Sequence, residues 1–135
     1  MISADRLAAL PLFGELDSHD LRIIAARVRE VAVVAGDVLM EQHAMPADVY
    51  ILEVGNVEIS RDGVVISTQG PGSVVGEIAL VDPQRRTATV RATSDVLAIA
   101  IGIEDLQVIA ETMPEIGRDL QAIAAHRVAE LGDLT

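Results

Sequence analysis

Residues Gly76 to Thr89 read GEIALVDPQRRTAT, and they interrupt strand-like sequence on both sides. Gly76 to Leu80 favours a short helical turn, yet β-branched runs flank it. Upstream, from Val31, short apolar runs alternate with Gly36, Gly55-Asn56, Asp62-Gly63 and Gly70-Pro71-Gly72, all turn signals. Strands are expected over 31–34, 38–40, 48–53, 57–60, 64–68, 73–75, 87–92 and 96–101. In the last of these, Leu97, Ile99 and Ile101 alternate with Ala98 and Ala100, a bulky face against a small one. Short strands at close, even spacing predict an antiparallel jelly-roll-like β-roll and not a parallel sheet.

Further outward the period becomes helical. Leu21, Ile24, Ala25 and Val28 fall at i, i+3, i+4 and i+7, which predicts a helix over 18–29 with Asp17 or Ser18 at its N-cap. A shorter helix over 5–10 is expected to stop at Pro11. Beyond the strands, Pro114 divides a helical stretch into about 104–112 and about 114–131. Gly117, Leu120, Ala124, Val128 and Leu131 line one side of the longer piece. The chain therefore reads as a single mainly β domain over 1–135. Helices span about 3–29, a roll about 31–101 with the interrupting stretch at 76–89, and C-terminal helices about 104–131.

Composition narrows the chemistry. The 135 residues are 50% hydrophobic and 23% charged, enough for one real core. There is no cysteine, hence no disulfide, thiolate nucleophile or cysteine metal site. All ten basic residues are Arg, which excludes Schiff-base chemistry and a P-loop lysine. The net charge of −11 disfavours non-specific contact with nucleic acid or anionic lipid, so a bound anion must be caught by a local site. Phe13 and Tyr50 are the only aromatics, too few for a base-stacking platform.

His19, His43 and His126 are widely separated, and no metal site is expected. Ser73 lies in no nucleophile elbow, and no enzyme is expected. Met40 and Met45 read as core or loop packing. Met1 to Arg6 lacks the basic start and apolar run of a signal peptide. The longest uncharged stretch, Gly63 to Gly76, is far short of a bilayer span. A soluble cytoplasmic protein is the expectation.

The interrupting stretch carries the chemistry. A short helix entered through glycines presents unpaired N–H groups and a positive dipole end, which suits phosphate. Arg85 and Arg86 follow closely, and a guanidinium fork gives a phosphodiester two charge-assisted hydrogen bonds. Glu77 would repel phosphate but accepts well from a sugar hydroxyl. Phosphate and ribose together imply a nucleotide. A structural Glu77–Arg86 ion pair is the plainer alternative. A dinucleotide fingerprint over Gly70–Gly76 has the wrong spacing and no βαβ unit around it.

Gly76, Glu77, Ala79, Leu80, Arg86, Ala88 and Thr89 resemble, with family spacing and no gap, the phosphate-binding cassette of cyclic nucleotide-binding domains of the catabolite-activator and protein-kinase regulatory-subunit type. Gly36, Tyr50, Gly55, Val57 and the Gly70-Pro71-Gly72 loop match as well, so the resemblance covers about residues 10 to 131. It implies a β-roll with flanking helices that binds cAMP or cGMP reversibly, without catalysis or metal. Backbone N–H groups from Gly76 through Glu77, Ile78 and Ala79 would hold the phosphate with the Arg86 guanidinium. Glu77 would accept the ribose 2′-OH, Leu80 and Val90 would be core behind the site, and Ile78 and Val75 would meet the base. Thr87 stands where family members that accept cGMP often carry a hydroxyl.

Two positions depart from the family pattern. His43 replaces a usual Gly, which leads us to expect a reshaped loop, and Val75 replaces a usual aromatic. The C-terminal stripe has three readings left open: packing on the roll, a helix seam to a second copy or partner protein, or a cover over the base. Gly132 to Thr135 leave no room for a helix-turn-helix, so no nucleic-acid binding is expected of this stretch alone. It could be the sensor part of a larger transcription factor, channel, kinase or transporter, or a ligand-free roll used for protein contacts.

Overall fold

A computed structural model describes residues 2–45, 47–76 and 88–132, with backbone only at 124 and 127–132. Helix α1, Ala4–Ala8, is capped by Ser3, whose hydroxyl accepts the Arg6 N–H at 3.2 Å. Pro11 then opens a 3-10 turn, Pro11–Phe13, where a proline's missing N–H costs nothing. Helix α2, Ser18–Ala25, starts at Asp17, whose carboxylate accepts the Asp20 N–H at 2.9 Å.

Helix α2 stops four residues short of the expected Arg29. Val28 and Arg29 open strand β1, Val28–Val33, opposite Ile101 and Ala100. The helical spacing suited Val28 only by coincidence with its i+7 position. Its β-branched side chain is stiff in a helix and packs well on a pleated surface.

The roll continues through β2 (Val38–Met40), β3 (Asp48–Val54), β4 (Val57–Arg61), β5 (Val64–Gln69), β6 (Val74–Val75), β7 (Thr89–Ala92) and β8 (Val96–Gly102). Every pairing among the described residues is antiparallel, in two sheets ordered β1-β8-β3-β6 and β2-β7-β4-β5. Mainly antiparallel sheets with helices before and after are the fold that the strand spacing predicts. Between β4 and β5 the turn is Asp62-Gly63, with φ of 53° and 81°. A two-residue type I′ hairpin requires positive φ at both places.

In the first sheet β3, β6 and β8 bury residues on both faces, and their alternation sorts side chains into two cores. Val49, Ile51, Val74, Ile99 and Ile101 point toward the helices and join Leu7, Phe13, Ile24, Leu106, Ile109, Ile116 and Leu120. Leu52, Val75, Val96 and Ala98 point into the roll and meet Met40, Val57, Ile59, Val90 and Ala92 of the second sheet. The bulky face of β8 is thus the helix side, and Ala98 on its small face lines the interior. Met45 does not pack as expected: it is 66% exposed.

Helices α3, Ile103–Thr112, and α4, Pro114–Gly132, close the helix-side core. Among the described α4 side chains Ile116 and Leu120 are buried and Ile123 is partly covered, so Leu120 packs as expected, while the Ala124, Val128 and Leu131 side chains lie outside the described residues. Gly117 faces α3: a Cβ there would come within 3.0 Å of the Ala110 carbonyl oxygen, so the two helices meet closely. No helix among the described residues is long and apolar enough to cross a membrane.

Candidate functional site

The 76–89 stretch is bounded by strands of different sheets. Strand β6 in the first sheet is only two residues long, with Tyr50 opposite Val75 and Ile51 opposite Val74. Val75 is fully buried among the side chains between the sheets. Gly76 follows with φ of 92°, a conformation that turns the chain out of the sheet and that side chains rarely adopt. On the far side Ala88 packs against the interior cluster, and Thr89 begins β7 in the second sheet opposite Ser60. Of the expected site residues, Val75 and Gly76 are therefore adjacent at the edge of the roll interior. Glu77, Ile78, Ala79, Leu80, Arg85, Arg86 and Thr87 lie outside the described residues.

Two side chains that the sequence reading passed over meet at the Thr89 end. The Gln42 backbone N–H donates to the Thr89 hydroxyl oxygen at 2.9 Å. The Gln42 side-chain amide grips Asp62 twice: its Nε2 donates to Oδ1 at 2.9 Å, and its Oε1 accepts the Asp62 N–H at 2.9 Å. Asp62-Gly63 was legible as a turn, but nothing in the spacing of Gln42 and Asp62, twenty residues apart, announces the contact. His43, next to Gln42, adopts the left-handed backbone itself, with φ of 72°. No glycine is needed there, although a non-glycine residue pays conformational strain for it.

Most of the described arginines have protein partners. Arg6 reaches Glu53 and Glu30, Arg27 reaches Asp105 at 2.8 Å, and Arg29 reaches Asp48. Hydrogen bonds to Glu53 and then Glu30 raise the Arg6 pKa above its ordinary value, and the Asp48 hydrogen bond raises that of Arg29. Arg91 donates to the Gly36 carbonyl oxygen at 2.6 Å. These guanidinium groups stabilise the fold. Among the described residues no group of three or more His, Asp or Glu gathers that could hold a metal ion.

Helix α4 runs beside the loop that leads into β6. Asp119, Ala122, Ile123 and His126 line a surface groove of about 600 Å³ with Pro11, Leu12 and Gly72 to Val74. The C-terminal helix, the 3-10 turn and the approach to Gly76 therefore share one surface.

The family model described as the cyclic nucleotide-binding domain matches residues 30–113, from β1 through α3. The chain belongs to the cyclic nucleotide-binding domain family. It is 32% identical over 101 residues to the Pycsar effector protein XpPycTIR of Xanthomonas perforans, covering 74% of this chain and 33% of that protein. It is 39% identical over 82 residues to a cAMP-dependent protein kinase regulatory subunit of Yarrowia lipolytica, covering 61% and 22%. The catabolite activator protein of Thermus thermophilus superimposes with a TM-score of 0.77 at 26% identity, over 92% of this chain and 60% of that one. The chain spans about a third of the length of the Pycsar relatives. This cyclic nucleotide-binding domain thus resembles parts of longer proteins, a Pycsar effector protein and a kinase regulatory subunit among them.

Proposed function

We propose that the domain is a reversible, non-catalytic sensor of a cyclic nucleotide, cAMP or cGMP, and that residues 76–89 are its phosphate-binding cassette. The observation that carries the proposal is the placement of that motif: it begins at Gly76, with φ of 92°, directly after β6 and ends at Thr89, the first residue of β7. Backbone N–H groups from Gly76 to Ala79 hold the phosphate with the Arg86 guanidinium, in the way a glycine-entered helix start and an Arg fork bind anions. Glu77 accepts the ribose 2′-OH. Ile78 sits on the base side, and the Thr87 hydroxyl bears on base choice. Val75, fully buried, supports the entry to the site and does not itself meet the base.

A kinase regulatory subunit named as cAMP-dependent among the relatives supports the ligand class. The relatives' greater length supports a sensor module within a longer protein, with the effector elsewhere. A cytoplasmic location and a second copy or partner protein at the C-terminal helix are parts of the same reading. Calorimetric titration with cAMP and with cGMP tests it. Saturable binding of either is expected, and no binding of both would leave the ligand-free roll as the function.

A further inference from the structure

We infer that Gln42 is a positioning residue for the cassette, holding its exit in register with the tip of the β4–β5 hairpin. The inference rests on the nucleotide-binding reading above and deepens it. The motif is joined to one sheet through Val75 and Gly76 and to the other at Thr89, so those two ends are its anchors on the roll. The entry is fixed by the buried Val75 and its pairing with Tyr50. The exit is held by the pairing of Thr89 with Ser60, by Val90, buried in the interior, and, among the described residues, by the side-chain contact of the Thr89 hydroxyl with the Gln42 N–H.

Gln42 could not hold Thr89 from a loose loop. It lies between β2 and β3, next to His43 in its left-handed conformation, and its side-chain amide is fastened to both a backbone N–H and the carboxylate of Asp62. Asp62 is in turn held by the hairpin, whose I′ turn sets its φ at 53°. The chain of contacts runs from hairpin tip to Gln42 to Thr89, three residues after Arg86. A binding group must be held within a fraction of an ångström by supporting hydrogen bonds to act at full strength. A cassette already ordered at its exit also loses less conformational freedom when the phosphate arrives.

The test uses the whole chain and calorimetry with whichever of cAMP and cGMP binds the wild type more tightly. Asp62→Gly keeps the turn conformation and removes the carboxylate, whereas Asp62→Asn keeps both the conformation and an acceptor. Thr89→Val removes the acceptor for Gln42 at nearly constant shape. We expect Asp62→Gly and Thr89→Val each to raise Kd about three- to tenfold, and the double variant to raise it by less than their product. Asp62→Asn should restore wild-type Kd. Asp17→Ala, which removes the α2 cap at comparable cost to stability, should leave Kd unchanged. A purely structural clamp gives the opposite: lowered unfolding midpoints for Asp62→Gly and Thr89→Val with wild-type Kd, which overturns this inference alone. A wild type that binds neither nucleotide overturns the functional reading and this inference with it.

Discussion

The guanidinium of Arg6, on the first helix, donates to both carboxylate oxygens of Glu53 on β3, 47 residues along the chain. The same group also meets Glu30 at 2.9 Å. One arginine therefore ties α1 to two strands of the first sheet. Hydrogen bonds to Glu53 and then Glu30 raise the Arg6 pKa above its ordinary value, so the pair is one of full charges wherever the two carboxylates are ionised. Arg6→Ala should lower the urea midpoint. Glu53→Gln should cost less in the Arg6→Ala background than in the wild type, and both effects should shrink in high salt. Equal costs in the two backgrounds would show the pair to be uncoupled.

Ile51 and Leu52 are neighbours in sequence but belong to different cores, one under the helices and one inside the roll. Ile51→Ala and Leu52→Ala should each cost about 2–5 kcal/mol in denaturant unfolding, because each removes a fully buried side chain from a packed site. Val54→Ala, on the same strand but 56% exposed, should stay within about 0.5 kcal/mol. An inexpensive Leu52→Ala would mean that the roll interior is loosely packed.

Gly55 and Gly36 share a positive φ, 92° and 93°, but not the same surroundings. A Cβ at Gly55 would lie 2.2 Å from the Asp95 carbonyl oxygen, whereas at Gly36 nothing lies within 4 Å. Gly36→Ala should therefore cost only the backbone strain, about 1–2 kcal/mol. Gly55→Ala must also push apart the β3–β4 and β7–β8 turns and should cost clearly more. Thermal or urea unfolding of the two variants side by side decides it.

Arg85 and Arg86 are adjacent, yet only Arg86 falls on the family spacing. Arg86→Ala should weaken cyclic nucleotide binding by about 2–5 kcal/mol, as for one half of a desolvated charge pair. Arg85→Ala should change it little. Equal losses with the fold intact would shift the cassette register by one.

Thr87 should tilt base choice without making it absolute, since one neutral hydrogen bond contributes about 0.5–1.5 kcal/mol. Both nucleotides are expected to bind, within roughly tenfold to a hundredfold of each other. Thr87→Ala should weaken cGMP more than cAMP. An unchanged affinity ratio in competition binding would remove Thr87 from selectivity.

Local chemistry made much of this domain readable in advance. Turn residues and β-branched runs marked the roll, Asp17 marked the start of α2, and Pro114 marked the break between the last helices, because each acts on its own few residues of backbone. The proposed cassette is a pattern of the same local kind, since its residues follow one another at fixed spacing. Where local and distant preferences competed, the distant one prevailed: Val28 fitted a helix by period, and its place opposite Ile101 made it strand.

Contacts between remote residues were a matter for the tertiary structure. The alternation in β8 was plain in the sequence, but which face met the helices was not, since either face of a strand can be covered. That Ile51 and Leu52 serve two cores follows from the first sheet lying between the helices and the second sheet. The grip of Gln42 on Asp62 and Thr89 joins three turns and strands that only the closed roll brings together. Spacing along a chain encodes period, turn and motif; it carries no record of which side chains meet once two sheets close on each other.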